Sequence, residues 1–148
     1  MYLRLLGIGL AAAVFIGTAG CDESLSKLAG PTPSLEPTFG SIQREIFSTT
    51  DSSGRLACVT CHTGRNPFAP MNLGAATAYA QLVNVASVER PSLRRVNPGN
   101  PDASYLIHKL EGGPNILGAR MPFGVGPFLT NGQILVIRRW ITLGARND

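Results

Sequence analysis

Cys58-Val59-Thr60-Cys61-His62 constrains this chain more than any other run of residues in it. Two thiols separated by two residues can be brought to one edge by a single tight turn. The imidazole that follows them then points the same way. Any fold that carries this unit must leave room beside it for something that is not an amino acid. Coincidence is a poor explanation, because the 148 residues contain only 3 cysteines and 2 histidines. A thioredoxin-like CxxC belongs in a βαβ setting, and no alternating or βαβ pattern flanks this one. A structural zinc site needs four ligands, commonly with a second close pair, and only His108 is left to contribute.

The remaining chemistry for this spacing is covalent haem attachment. The thiols of Cys58 and Cys61 would add across the two porphyrin vinyl groups, and His62 would bind the iron as proximal axial ligand. The expected cofactor is one covalent haem c. A second axial ligand must be sulfur or imidazole, which leaves Met71, His108 and Met121. Met121 sits in a Gly/Pro-rich loop, where Pro122 favours an extended backbone for it, as suits a residue reaching inward. Met71 follows His62 so closely that crossing to the opposite haem face is difficult. His108 lies between Ile107 and Lys109, off the apolar face that Tyr105, Leu106 and Leu110 define. Met121 is the favoured distal ligand, with His108 the main alternative.

The text around the motif divides into three. Residues 1–20 read as a leader: one cation, Arg4, then an apolar run from Leu5 to Ile16 and small residues through Gly20. That run is shorter than the ~20 residues a spanning helix needs. Thr18-Ala19-Gly20-Cys21 resembles the lipobox of bacterial lipoproteins, although Thr18 stands where that pattern usually has Leu. The resemblance implies lipidation at Cys21; simple cleavage near Gly20 is the alternative. With Cys21 lipidated and the pair on haem, no thiol is left over. Residues 21–38 form a Pro/Ser-rich linker with no apolar periodicity. Residues 39–148 are the domain.

Within it, Phe39, Ile42, Ile46 and Phe47 fall at helical spacing over about Phe39 to Ser48. A second helix is expected over Gly74 to Val85, with Ala76, Tyr79, Leu82 and Val83 on one side. Ser87 to Gly99 reads as loop. Asn100-Pro101-Asp102 reads as a third helix start, and Gly112-Gly113-Pro114 as its end. Asn115 to Leu129 should be an ordered loop. Thr130 and Gln133 make a capping box for a last helix carrying Ile134, Ile137, Trp140 and Ile141, closed by Gly144. No stretch alternates like a strand. The expected fold is all-α: a small bundle of about four helices with long loops wrapped around one haem.

The order of these features resembles the class I monohaem cytochromes c: an N-terminal helix with Phe39 and Ile46, CxxCH, a Met-Pro loop at Met121-Pro122, and a closing helix with Trp140. The resemblance covers about Phe39 to Ala145. It implies first and last helices that cross, a loop methionine as distal ligand, and a carrier of single electrons with no substrate chemistry of its own. Redox partner proteins are implied, as is an exported location in the periplasm or cell envelope, with membrane attachment through the N-terminal lipid. A five-coordinate haem protein that binds a small gas or peroxide is one alternative. A haem-stabilised accessory domain of a larger oxidoreductase is another. The net charge of +4 is too mild for nucleic acid, and no basic run or aromatic-interleaved patch accompanies it. Arg94, Arg95 and Arg120 are candidate partners for haem propionates, and the Trp140 indole N–H is another. Arg138 and Arg139 offer a wet face for an acidic redox partner.

Overall fold

The computed structural model describes residues 30–64, 67, 68, 70–124 and 126–148. The leader, Cys21 and the first half of the expected linker lie outside the described residues. Where that linker is described it is already packed. Leu35 is fully buried, and the Thr32 hydroxyl accepts a 3.0 Å bond from Gln133 Nε2 in the last helix. The packed body therefore includes Thr32 and Leu35 as well as the residues from Phe39 on.

Helix α1 (Phe39–Ile42) is capped by Thr38, whose side chain accepts from the Ser41 amide. It continues directly into a π-helical turn, Gln43–Phe47, closed by Ser48 N–H donating to the Gln43 carbonyl at 2.9 Å. The spacing predicts one regular helix here, and Phe39, Ile42, Ile46 and Phe47 are indeed all buried. The helix widens because side chains take the carbonyls that amides would normally take. Arg55 donates to the Glu45 and Ile46 carbonyls, and Thr49 Oγ1 donates to that of Arg44. A reversal at Asp51–Arg55 follows, with Gly54 at φ +84°, a value glycine reaches without strain.

Cys58–Thr60 forms a single 3-10 turn. Helix α2 (Ala78–Leu82) is shorter than the pattern predicts, and Ala78 and Leu82 are its buried residues while Ala76 is exposed. At Val83 the backbone turns extended and pairs with the chain near Val96: Asn84 N–H donates to Val96 O at 2.9 Å and Val96 N–H to Leu82 O at 3.0 Å. The cluster of β-branched Val83, Val85 and Val96 suits that extended pairing better than another helical turn. Such isolated bridges, at Val83–Val96, Ala86–Arg94 and Arg94–Ser104, are the strand pairing among the described residues.

Asn100 caps as its sequence suggests, accepting from the Ala103 amide at 3.0 Å, but it caps only a 3-10 turn, Pro101–Ala103. Ser104 is extended there because its hydroxyl is engaged, accepting from Asn97 N–H and donating to Asn100 O. Helix α3 (Tyr105–Glu111) then begins afresh. Its buried positions are Tyr105, Ile107, Lys109 and Leu110, so the inward face includes Ile107 and Lys109 beside the expected Tyr105 and Leu110, while Leu106 is half-buried. Helix α4 (Asn131–Thr142) carries the complete capping box, with Thr130 Oγ1 accepting from Gln133 N–H at 3.2 Å and Gln133 Oε1 from Thr130 N–H at 2.9 Å. Ile134, Val136, Ile137, Trp140 and Ile141 bury one side of it. The Trp140 ring lies 5.7 Å from that of Phe39, which stacks edge-on at 5.1 Å to Tyr79. The chain end closes over α1: Asp148 accepts from the Phe39 amide through Oδ1 and from the Gly40 amide through its main-chain oxygen.

Candidate functional site

A cavity open to solvent lies between the Cys58–Leu73 stretch, α3 and the loop carrying Met121. Its walls are mostly apolar, with Phe47, Leu73, Leu106 and Leu110 prominent. Cys58, His62, Met71 and Met121 all line it. Cys61 and His108 do not belong to its lining.

His62 is held by the turn that contains it. Its amide donates to Cys58 O at 3.0 Å, and its own carbonyl accepts from Leu73 N–H at 2.6 Å. The ring is 9 % exposed, with Nδ1 3.0 Å from the Phe68 carbonyl. A carbonyl can only accept, so Nδ1 carries the hydrogen of the neutral ring. Burial is the main reason the imidazole titrates below its ordinary value, which keeps it neutral and able to donate to a metal at neutral pH.

Cys58 is half-buried with Sγ 3.6 Å from the Ile46 carbonyl, and burial pushes its thiol up to about 11. Cys61 is exposed. The 3-10 turn stacks positions three apart along one edge, so the pair shares an edge with Cys58 towards the cavity and Cys61 outside its lining. Met121 is half-buried and anchored by its amide, which donates to Lys109 O in α3 at 2.8 Å. Met71 is also half-buried at the cavity. His108 is engaged elsewhere: its Nε2 meets the Asp102 carbonyl at 2.7 Å, and its Nδ1 is buried without a partner.

The basic residues sort differently from one another. Arg95 lines the cavity while donating to the Gln81 and Pro70 carbonyls. Arg94 is engaged by Asn84. Arg120 donates to Leu110 O at 2.7 Å and stacks 4.2 Å over the Phe128 ring. Trp140 Nε1 donates to Arg146 O at 2.8 Å, away from the cavity lining. Arg138 pairs with Glu111 and Asp102, and Arg139 is exposed.

Two groups of polar residues escaped the sequence reading. Glu89 and Lys109 line the cavity and pair at 3.1 Å, and the Tyr105 hydroxyl donates to the same Glu89 oxygen at 2.7 Å. Lys109 also donates to Leu117 O, and the Tyr105 hydroxyl accepts from Leu117 N–H. Burial alone would raise the Glu89 carboxyl, but the bonds from Tyr105 and Lys109 outweigh it and hold it below its usual range. Tyr105 and Lys109 are four apart, a spacing that aligns side chains on a helix; nothing in the sequence pointed to Glu89. The second group is the buried Arg55–Asp51 pair behind Cys58.

The donor set suits a macrocycle-bound iron better than a bare ion. Among the described residues no group of three or more His, Cys, Asp or Glu could hold a metal ion. What converges is one neutral imidazole, two thioethers and a thiol around a mostly apolar cavity. Among the described residues no helix is long and apolar enough to cross a membrane. No family model, curated protein or solved structure matches this chain.

Proposed function

We propose that this chain is an exported single-electron carrier, with one haem joined through Cys58 and Cys61, His62 as proximal ligand and Met121 as distal ligand. The observation that carries the reading is the convergence of Cys58, His62 and Met121 on one apolar cavity. A haem held there supplies one-electron ferrous–ferric chemistry. The chain's own part is positional. Phe68 O fixes the His62 tautomer and ring angle, as partners beyond the metal ligands commonly do. The Lys109 carbonyl ties the Met121 loop to α3. Phe47, Leu73, Leu106 and Leu110 offer an apolar wall to such a group, and His62 with Met121 would hold its iron on both sides without room for a substrate. His/Met ligation raises a haem's potential. Lipidation at Cys21 would tether the domain in the cell envelope, where redox partner proteins reach it.

Mass spectrometry of the exported chain tests the attachment, and the added mass of one haem is the expected result. A chain without it would end the proposal. Because Met71 shares the cavity with Met121, the distal ligand needs its own test. Met121→Leu is expected to abolish the sulfur-to-iron charge-transfer band and lower the midpoint potential by many tens of millivolts. Met71→Leu is expected to leave both in place, and the reverse pattern would reassign the ligand.

A further inference from the structure

Arg55 stands three residues before Cys58 and is 0 % exposed. Its Nε donates to Asp51 Oδ2 at 3.0 Å, Nη1 to the Ile46 and Leu56 carbonyls, and Nη2 to those of Glu45 and Thr49. All five of its N–H donors are thus spent inside the protein. The Ile46 carbonyl that accepts from Arg55 also accepts from Cys58 Sγ, so a buried cation and a cavity-lining sulfur share one acceptor. Asp51 is the matching anion, with a side chain 2 % exposed, held further by the amide and hydroxyl of Ser53 and by Gln133 Nε2.

Charges in such a place are little screened by water and act well beyond contact distance. A cation there disfavours the more positive, ferric state of an adjacent iron; an anion favours it. Together they nearly cancel, and removing either leaves the other uncompensated.

We propose, on the haem reading given above, that the two buried charges act in opposite directions on the reduction potential of the haem attached at Cys58, Arg55 raising it as a positioning residue and Asp51 lowering it. A purely structural role predicts something else. Loosening this wall admits water to the haem whichever member is lost, and shifts the potential the same way in both cases.

The test is redox titration of the haem-bearing protein at neutral pH, with the visible spectrum monitoring ligation. Asp51→Asn is expected to raise the midpoint, Arg55→Gln to lower it, and the double variant to return towards wild type. Arg55→Lys, which keeps the charge but loses hydrogen bonds, is expected to stay near wild type. Shifts of the same sign for Asp51→Asn and Arg55→Gln, or no shift in either, would overturn the proposal while leaving the haem reading intact. Should Arg55→Gln fail to accumulate, a lowered midpoint in Asp51→Asn, or a lowered one in Arg55→Lys, overturns it alone. A wild-type chain that carries no haem by mass would remove the underlying reading itself.

Discussion

A carboxylate taken out of water ordinarily holds its proton more tightly, and Asp51, at 9 % exposure, does the opposite. Burial pushes its carboxyl up, but the two hydrogen bonds from Ser53, the Arg55 charge and the Gln133 amide together carry it below its usual value. A folded-state value lower than the unfolded one means that Asp51 adds stability above the ordinary carboxylate range. That stability is lost as pH falls from about 4 through the folded value. Denaturant midpoints followed against pH are therefore expected to fall more steeply on acidification for wild type than for Asp51→Asn. Other carboxylates contribute to both curves, Glu89 among them with a value also held low, so the difference between the curves isolates Asp51. Parallel curves would mean that Asp51 is no better bound in the folded state than in the unfolded chain. At this scale residue type and spacing singled out Cys58, Cys61, His62 and Met121, of which the fold brings Cys58, His62 and Met121 to one cavity and leaves Cys61 outside its lining. Arg55 was not legible, because a single arginine near a turn ordinarily reads as a solvated surface charge. Its burial follows from helix carbonyls that a regular α-helix would have satisfied, and one-dimensional periodicity does not reveal them.

Elements were legible in proportion to how locally they are determined. Helix α4 begins and ends where its own residues dictate: a reciprocal Thr130–Gln133 box at one end and Gly144, at φ +98°, at the other. Thr130→Ala removes one half of that box and is expected to cost about 1 kcal/mol in equilibrium unfolding. Gln133→Ala is expected to cost more, about 1–3 kcal/mol beyond the cap, because its Nε2 also serves buried Thr32 and Asp51. Equal losses would show that the cap, and not the buried amide, is what Gln133 provides. The other elements depart from pattern where a distant group intervenes. The π turn after α1 exists because Arg55 and Thr49 occupy its carbonyls. Helix α2 stops early because Val83 finds a partner in Val96, thirteen positions on. The Asn100 cap opens only a 3-10 turn because Ser104 is held extended by Asn97 and Asn100. Each is a tertiary contact overriding a correct local preference.

For the molecule as a whole, a core built around a cavity has a consequence for folding. The buried side chains include Leu35 and Thr32, so the domain needs the segment before Phe39; Leu35→Ala is expected to destabilise it by about 2–5 kcal/mol. A Leu35 variant within a few tenths of wild type would return that segment to the status of a linker. Even with those residues in place, Met71, Leu106 and Met121 are only half-buried and Val88 is 59 % exposed, all of them lining the cavity. Apolar groups around an open cavity forgo contacts on one side, so a chain that fills the space with a covalently held group gains packing that the empty chain lacks. Attachment cannot dissociate, so the gain should not depend on cofactor concentration, unlike that from a reversibly bound ligand. On the proposed attachment, the Cys58→Ala/Cys61→Ala double variant is expected to melt well below the wild type, to bind a fluorescent apolar dye at the cavity, and to release any colour into acid acetone. If it melted with the wild type, the apolar wall would have to be self-supporting, and the cavity would be an ordinary surface cleft and not the missing part of a core.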